Sequence, residues 1–373
     1  MKQRNRVVVF PAWGDNPYLN LLYLAPRAQG RGYTGITTWD SLQAAVPELG
    51  RGDVLHVHWT SPICQKAASV GEARRRLDEF TTLVQALQRR GGRLIWTIHN
   101  RLPHEVVYRD VEIALNRFLS QTADAVHVMA ESTADVVGDL YPLRLDRMHV
   151  IPHPSYQGLY GRADSREPAR RALGLAAGER TVLFFGQMRP YKGLSTLIDA
   201  LRLMQERGDT LPTLLLAGAA TADARREIEQ TLPDGLRVIA DFGFVADSEV
   251  RGWFDAADLA VFPYRSILNS GSVHLAATLG VPALLPGETH LRSQFADESW
   301  VRFYDAEDPV AGLARALAAP RAFERQEAGM AEFSERLSPW RVSRRFNALL
   351  ESLEGSGATD AAGSATAKTA QLA

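Results

Sequence analysis

The sequence predicts an α/β protein made of two doubly wound domains that face one another across a cleft. Its 373 residues exceed what one ordinary hydrophobic core accommodates. Short β-branched runs alternate with stretches of helical periodicity, a pattern typical of parallel strands joined by crossover helices. A turn-rich segment at residues 151–160 divides this alternation into two series, one for each predicted domain.

The first series predicts one domain over residues 1–158. Its strand candidates are the apolar runs Arg6–Phe10, Val54–His58, Leu94–His99, Ala125–Met129 and Met148–Ile151. Apolar residues at helical spacing predict a helix over Glu72–Gln88, between the second and third of these strands.

The second series predicts a domain over residues 159–336, with the same alternation. Its predicted strands are Thr181–Phe185, Thr213–Ala217, Leu236–Ala240, Leu259–Pro263 and Pro282–Leu285, and its clearest helices are Leu194–Glu206 and Asp247–Ala256. An amphipathic pattern predicts a last helix over residues 337–353 that packs back on the first domain. Residues 354–373 lack apolar periodicity and are predicted to be disordered.

Composition argues against several classes of function. The chain has 42 Lys and Arg against 43 Asp and Glu, so its formal net charge of −1 predicts no nucleic-acid partner. Its single cysteine, Cys64, excludes an intrachain disulfide and a multi-cysteine metal site. The sequence shows neither a leader pattern nor a run of about 18 apolar residues, so we expect a cytoplasmic protein.

The segment 184–194 carries the most informative motif, because it links a predicted buried strand ending at Gly186 to a helix beginning after Gly193. Such loops at the carboxyl edge of a parallel sheet are where these folds bind ligands. Arg189 offers a planar fork for phosphate oxygens, and Lys192 offers a compact charge beside the helix. The segment predicts a diphosphate site; the alternative is a pair of solvated loop charges.

A second candidate lies in the segment 262–282, where a helix is predicted to open at Ser270, Gly271 and Ser272. Free backbone N–H groups at a helix start bind anions, and small residues permit close approach. Ser270 is equally explained as an ordinary N-cap. Neither segment has the P-loop or the Gly-x-Gly-x-x-Gly dinucleotide pattern.

Together these motifs resemble the GT-B glycosyltransferases of the family 4 type (glycosyl transferases group 1), with further likeness at Gly243–Val245, Trp253–Asp258 and Gly280–Pro282. The resemblance implies two Rossmann-like domains and a nucleotide-diphosphate sugar donor. The donor contacts it implies are Gly186, Arg189, Lys192, Gly193, Phe244, Val245, Tyr264, Asn269, Ser270, Gly271 and Ser272. We expect no metal, because no Asp-x-Asp element ends a strand of the second half. Arg189, Lys192 and a helix start are already available to neutralise the phosphate charge.

The chain departs from the family pattern at one point. Two glutamates usually lie eight residues apart around the second phosphate helix, and Ile267 and Leu275 stand at these positions. The motifs also resemble those of exopolysaccharide and glycolipid transferases, some of which use GDP-mannose. This implies transfer of a hexosyl residue from GDP-mannose or a UDP-sugar to a glycan or lipid-linked acceptor.

The first half is expected to hold the acceptor and the catalytic groups. His99 and Glu105 are the candidates for a base in an inverting transfer, whereas a retaining transfer requires no enzymic base. The resemblance implies instead that His99 hydrogen-bonds the donor sugar or its phosphate. We expect His56 and His58 to point to opposite faces of their strand, which leaves His58, beside Trp59, nearer the site.

Two alternative functions and the role of one group of arginines remain open at this stage. The chain could be a non-catalytic nucleotide-sugar-binding subunit, as the missing glutamates suggest, or a GT-B sugar-nucleotide epimerase. A group of arginines in the first half is either a peripheral membrane contact or a solvated helix face. These are Arg74, Arg75, Arg76, Arg89 and Arg90.

Overall fold

A computed structural model describes the backbone of residues 5–14, 16–161 and 166–369, and the side chains up to residue 354. The chain divides into two compact units, the first comprising Met1–Pro154 with Pro339–Ala373 and the second comprising Ser155–Ser338. Each unit contains a six-stranded sheet in which every pairing is parallel, so the predicted α/β class is confirmed.

The first unit has the strand order β2-β1-β3-β4-β5-β6. Its strands are β1 (Val7–Phe10), β2 (Thr34–Gly35), β3 (Val54–Val57), β4 (Arg93–Thr97), β5 (Ala125–Val128) and β6 (Met148–Val150). Its helices are α1 (Pro17–Leu22), α2 (Leu24–Ala28), α3 (Trp39–Ala45), α4 (Ser61–Cys64), α5 (Val70–Arg89), α6 (Arg109–Thr122), α7 (Thr133–Val137) and α16 (Pro339–Thr369). The chain adds β2 on one side of β1 and β3 on the other, so the strand order reverses between β1 and β3. Such a topological switch point is where these folds open a crevice.

Helix α5 shows how the local sequence determines these elements. Ser69 precedes it, and its hydroxyl accepts a hydrogen bond from the Glu72 N–H. Phe80, Val84 and Leu87 recur at helical spacing and are fully buried. The helix therefore presents one apolar stripe to the core of the first unit.

Helix α16 returns the chain to the first unit. The Ser343 hydroxyl accepts from the N–H of Ala25 at 2.7 Å and donates to the carbonyl of Leu22 at 2.6 Å. The helix continues to Thr369, whereas the sequence predicted helix to residue 353 and disorder beyond it. Alanine is the best helix former and is frequent in this segment, so propensity extends the helix without an apolar stripe. Residues 370–373 lie outside the described part.

The second unit has the strand order β12-β11-β10-β7-β8-β9. Its strands are β7 (Thr181–Phe185), β8 (Thr213–Ala217), β9 (Val238–Asp241), β10 (Leu259–Val261), β11 (Ala283–Pro286) and β12 (Val301–Tyr304). Its helices are α8 (Arg166–Ala172), α9 (Leu194–Glu206), α10 (Ala222–Thr231), α11 (Asp247–Ala256), α12 (Gly271–Thr278), α13 (Thr289–Gln294), α14 (Pro309–Ala318) and α15 (Glu327–Arg336). Here the topological switch point, at which the strand order reverses, lies between β7 and β10.

Both predicted donor segments follow the two strands at this switch point. Within the described ranges, none of the helices combines the length and hydropathy needed to cross a membrane.

Candidate functional site

The loops after β7 and β10 are held against each other in the second unit. Gly193 has a φ of +73°, and a Cβ there would lie 1.8 Å from the carbonyl oxygen of Pro263. The Arg265 N–H donates to the Tyr191 carbonyl at 2.9 Å. Only glycine permits this approach of two backbones with this backbone conformation. The structure thereby brings together the two segments that the sequence singled out.

Lys192 lies beneath this junction and is only 9% exposed. Its Nζ donates to the Phe185 carbonyl at 3.4 Å, and a Cβ at Gly186, whose φ is +99°, would come within 2.5 Å of Nζ. Burial lowers the pKa of Lys192 to about 8. A buried ammonium is costly unless it is paired, so an anion bound here would stabilise its charged form.

Arg189 occupies a different environment on the same loop, because its side chain is exposed. Its Nε donates to the Gln187 amide oxygen at 3.3 Å. Arg189 also lines a cavity of about 340 Å³ between α9 and α10, together with Ser195 and Arg265. Arg265 Nη2 donates to the Ser195 hydroxyl at 2.8 Å. The Arg189 side chain is thus accessible at the surface, whereas that of Lys192 is buried.

Helix α12 begins at Gly271, where the sequence placed the second phosphate site. Among the described contacts, the hydroxyl of Ser270 pairs with the Tyr264 phenol at 3.2 Å rather than capping the helix. This favours the anion-binding interpretation over the ordinary N-cap, because the first-turn N–H groups are not taken up by that side chain. Ser272 and the preceding Asn269 are half-buried at the same helix start.

The loop after β9 carries the predicted base-binding residues. Phe244 is 80% exposed, and Val245 beside it is buried. The loop bends at Gly243, whose N–H donates to the Asp241 carboxylate at 2.7 Å. An aromatic ring so exposed offers a face for stacking on a base.

Sequence reasoning missed Glu288 and His290, which follow β11 at the same sheet edge. His290 Nε2 donates to the Ile267 carbonyl at 3.0 Å, and its Nδ1 lies 3.5 Å from the Glu288 carboxylate. Burial raises the pKa of Glu288, against the opposing effect of His290. An acidic group is thus coupled to the loop that holds Ile267, one of the positions where a glutamate was expected. The position of Glu288 just after a predicted buried strand was the signal that the sequence offered for it.

In the first unit, aromatic rings stack at the ends of β1 and β3. The Trp59 ring lies 4.1 Å from that of His99 at an interplanar angle of 15°, and Trp13 lies 4.8 Å from Trp59. His99 is half-buried by this packing, with the Tyr18 ring against it edge-on at 5.2 Å. Flat aromatic surfaces of this kind suit the apolar face of a sugar ring.

The expectation that His56 and His58 point to opposite faces was wrong. Their rings lie 3.9 Å apart, and His58 Nε2 is 3.2 Å from His56 Nδ1. Side chains two residues apart on a strand share a face, since orientation alternates with every residue. His58 in turn lies 2.9 Å from His99, between its Nδ1 and the Nε2 of His99.

Glu105, the other predicted catalytic residue, is exposed in the loop between β4 and α6. This loop is tied to α4 by Gln65, whose amide oxygen accepts from the N–H groups of Val107 at 2.8 Å and Tyr108 at 2.9 Å. The Gln65 amide nitrogen donates to the buried Glu112 carboxylate at 2.7 Å.

The Thr60 hydroxyl donates to the same carboxylate, and burial raises the pKa of Glu112. Glu112 thus joins the segments that follow β3 and β4. Glu112 could not be predicted from local sequence, because its partners Thr60 and Gln65 are more than 40 residues away along the chain.

The predicted arginine patch is only partly available. Arg76 pairs with Glu72 at 2.6 Å. Arg90 donates to the carbonyls of Leu49 and Val46, both at 2.9 Å. Arg74, Arg75 and Arg89 are exposed on α5, and Arg90 directly after it is exposed as well. In the part of the chain that the structure describes, no three His, Cys, Asp or Glu side chains cluster to hold a metal ion; the expectation of metal-independent chemistry stays a prediction.

Comparison with known proteins agrees with this architecture. Residues 179–318 match the model of the family described as glycosyl transferases group 1. The chain is 29% identical over 354 residues to a GDP-mannose:glycolipid 4-beta-D-mannosyltransferase of Xanthomonas campestris pv. campestris, which covers 93% of this chain and 91% of that protein.

Many solved structures share the fold. Sucrose-phosphate synthase from Thermosynechococcus elongatus superposes with a TM-score of 0.73 at 15% identity, over 95% of this chain and 100% of that one. Anabaena HepE, solved with UDP and glucose, gives a TM-score of 0.66 at 16% identity, over 93% of this chain and 100% of that one. These findings identify residues 179–318 as a glycosyl transferases group 1 domain, and the chain that carries it as a glycosyltransferase of GT-B fold.

Proposed function

We propose that this glycosyltransferase moves a hexosyl residue from a nucleotide-diphosphate sugar to a glycolipid acceptor without a metal ion. GDP-mannose is the first donor to test, because the Xanthomonas relative named for that donor and a glycolipid aligns with almost the whole chain. The observation that carries the proposal is the buried Lys192 at the β7–β10 switch point of the second unit, held there by Gly186 and Gly193.

Donor binding is assigned to the second unit. Lys192 and Arg189 neutralise the diphosphate, and the N–H groups at the start of α12 add hydrogen bonds to it. Phe244 contacts the base. The leaving diphosphate gains negative charge as the sugar bond breaks, so these groups stabilise the transition state more than the bound donor.

The first unit is assigned to the acceptor and the reacting sugar. We place His99 at the reacting atoms in preference to Glu105, since His99 is half-buried in the aromatic stack whereas Glu105 is exposed. In an inverting transfer, the acceptor O–H bond breaks as its oxygen bonds to C1, C1 releases the diphosphate oxygen, and a base takes the proton. Substituting each residue in turn, His99→Gln and Glu105→Gln, separates the two assignments: the larger loss of kcat identifies the base.

The donor site is tested by thermal stabilisation with GDP-mannose, UDP-glucose and ADP-glucose. We expect one nucleotide family to raise the Tm of the wild type, with the shift lost in Arg189→Ala and Lys192→Met. Lys66→Met is the matched control, because Lys66 is an exposed lysine of the first unit. A shift that persists in Lys192→Met would contradict the proposed site.

Turnover distinguishes the remaining alternatives. Transfer of labelled sugar to a glycolipid supports the proposal. Nucleotide binding without transfer to any acceptor would indicate the binding subunit, and conversion of a UDP-sugar to its epimer would indicate the epimerase.

A further inference from the structure

A chain of buried polar groups begins at a backbone carbonyl in the first unit. His127 Nε2 lies 2.8 Å from the Ile151 carbonyl oxygen, and His127 Nδ1 lies 3.0 Å from the Thr97 hydroxyl. The same hydroxyl lies 2.7 Å from His56 Nε2. These three side chains are fully buried.

The donor and acceptor of each hydrogen bond between Ile151 and His56 follow from the Ile151 carbonyl, because a carbonyl oxygen can only accept. His127 therefore carries its hydrogen on Nε2 and leaves Nδ1 as an acceptor. The one hydrogen of Thr97 must go to that Nδ1, so its oxygen must accept from His56. His56 consequently carries its hydrogen on Nε2 as well.

The chain continues through His56 Nδ1, which is now an acceptor. The Tyr23 hydroxyl donates to it at 2.7 Å, and His58 Nε2 approaches it at 3.2 Å. The single lone pair of His56 Nδ1 is already engaged by Tyr23, so the longer contact is not a second full hydrogen bond. Two nitrogens that both lack a hydrogen would repel each other at 3.2 Å, however, so the hydrogen of His58 lies on Nε2 and its Nδ1 accepts. The nitrogen facing that Nδ1, at 2.9 Å, is His99 Nε2, which must then carry a hydrogen.

We propose that the Ile151 carbonyl, acting through His127, Thr97, His56 and His58, fixes His99 as the tautomer with hydrogen on Nε2 and an accepting Nδ1. The four intermediate groups are positioning residues, and the nitrogen that receives a hydrogen bond or a proton from a sugar hydroxyl is Nδ1. The catalytic part of this inference rests on the function proposed above; the tautomer itself does not.

Burial and packing support a neutral, fixed chain. Burial lowers the pKa values of His56, His58 and His99 well below 6.5, with the neighbouring histidines adding to the effect, and lowers that of His127 to about 4. A charged imidazole would donate from both nitrogens and break the sequence of donors and acceptors. Phe346 of α16 stacks on His56 at 5.2 Å and closes the chain from that side.

The tautomers can be read directly by nitrogen-15 NMR of the full-length protein labelled in its histidine rings. We expect His56, His58, His99 and His127 each to show a protonated Nε2 and an unprotonated Nδ1 in the wild type. Signals are assigned by the loss of one resonance pair in each single His→Gln variant. A hydrogen on Nδ1 of His99, or an even mixture of tautomers, overturns the proposal.

Because an unconstrained histidine samples both tautomers, the decisive comparison is Thr97→Val with Thr97→Ser. Valine keeps the shape but removes the hydroxyl that passes the constraint to His56, so mixed tautomers should appear at His58 and His99. Serine retains the hydroxyl and should restore the wild-type spectrum. If Thr97→Val fails to fold, His127→Phe removes the anchor of the same chain and should mix the tautomers in the same way. Unchanged tautomers in either folded variant overturn the proposal.

Activity provides an independent readout. We expect kcat to fall at least about tenfold in Thr97→Val with the donor KM unchanged, because a wrong tautomer in the serine-protease triad costs about 10⁴ in kcat. Thr97→Ser should recover most of the rate. If the NMR result holds but no variant alters turnover, the tautomer chain stands and the assignment of His99 to the reacting atoms fails.

Discussion

At the scale of single residues, Lys192 links the structure to a pH dependence. Burial lowers its pKa to about 8, so the ligand-free protein loses this charge as the pH rises through that value. A bound diphosphate favours the charged form. Affinity for GDP should therefore decline above about pH 8, by at most about tenfold per pH unit for one linked proton.

Calorimetric titration with GDP between about pH 7 and pH 10 measures this decline. Lys192→Arg should bind with a flat profile over that range, since a guanidinium stays charged. Lys66→Arg should reproduce the wild-type decline. Parallel declines in wild type and Lys192→Arg would show that another group titrates.

The stability of the ligand-free protein should depend on pH in the opposite direction. Between about pH 8 and pH 10.5 the unfolded chain holds more protons than the folded one, so the free energy of unfolding rises with pH.

Gly193 tests whether the close approach of the two donor loops matters. Gly193→Ala places a methyl group 1.8 Å from the Pro263 carbonyl oxygen, on a backbone with φ of +73°. Gly178→Ala is the matched control, because its φ is +77° and its Cβ would meet nothing within 4 Å.

Both variants should lose about 1–2 kcal/mol from the left-handed backbone. Only Gly193→Ala should lose more and also bind GDP more weakly. Urea unfolding and calorimetry measure the two effects; equal losses in both variants would mean that the loops move apart without cost.

At the scale of elements, α6 stabilises the loop that carries the candidate catalytic residues. Its Glu112 accepts from Thr60 and Gln65, and Gln65 accepts from the N–H groups of Val107 and Tyr108. Glu112→Ala leaves buried donors unpaired, which should cost about 1–3 kcal/mol. The exposed Glu131 provides a control, Glu131→Ala, that should stay within about 0.5 kcal/mol of wild type.

Hydrogen exchange locates the effect of Glu112→Ala. The amides of Val107 and Tyr108 should exchange faster than in wild type, while those of the β4 strand, which are bonded within the sheet, should change less. Faster exchange throughout the first unit, without emphasis on this loop, would indicate a general loss of stability rather than a tether.

The same carboxyl has a pH signature. Burial raises the pKa of Glu112 above 4.5, so between 4.5 and that raised value the folded protein holds one more proton than the unfolded chain. Stability should fall as the pH rises through this window. Glu112→Gln should lack the contribution, and denaturant unfolding at several pH values in both proteins measures the difference.

At the scale of the whole molecule, the sequence predicted the fold and the donor segments because their signals are local. Gly186, Lys192 and Gly193 follow one another within eight residues of a buried strand, so residue type and order suffice. The positioning groups have no such signal. His56, Thr97, His127 and Ile151 form a chain of contacts only because β3, β4, β5 and β6 lie side by side in the sheet.

Charge across the molecule bears on the proposed contact with membranes. The net charge is −1. Two of the five predicted arginines, Arg76 and Arg90, pair within the first unit, although Arg90 is still exposed, and Arg74, Arg75 and Arg89 are exposed as well. Each basic residue near an anionic bilayer contributes about 1 kcal/mol, so three give weak attraction. We expect cosedimentation with phosphatidylserine vesicles at low salt and its loss at about 0.15 M salt, where the Debye length is about 8 Å.

A triple variant in which these three arginines become glutamine should no longer cosediment at low salt. A second triple variant, with Arg171, Arg207 and Arg226 of the other unit changed to glutamine, removes the same charge from exposed positions and should bind as the wild type does. Equal loss in both would show that net charge alone sets the attraction. Vesicle binding that persists in both triple variants, or at about 0.15 M salt, would indicate an apolar contact with the membrane. The charge on α5 would then not explain how the protein reaches a glycolipid.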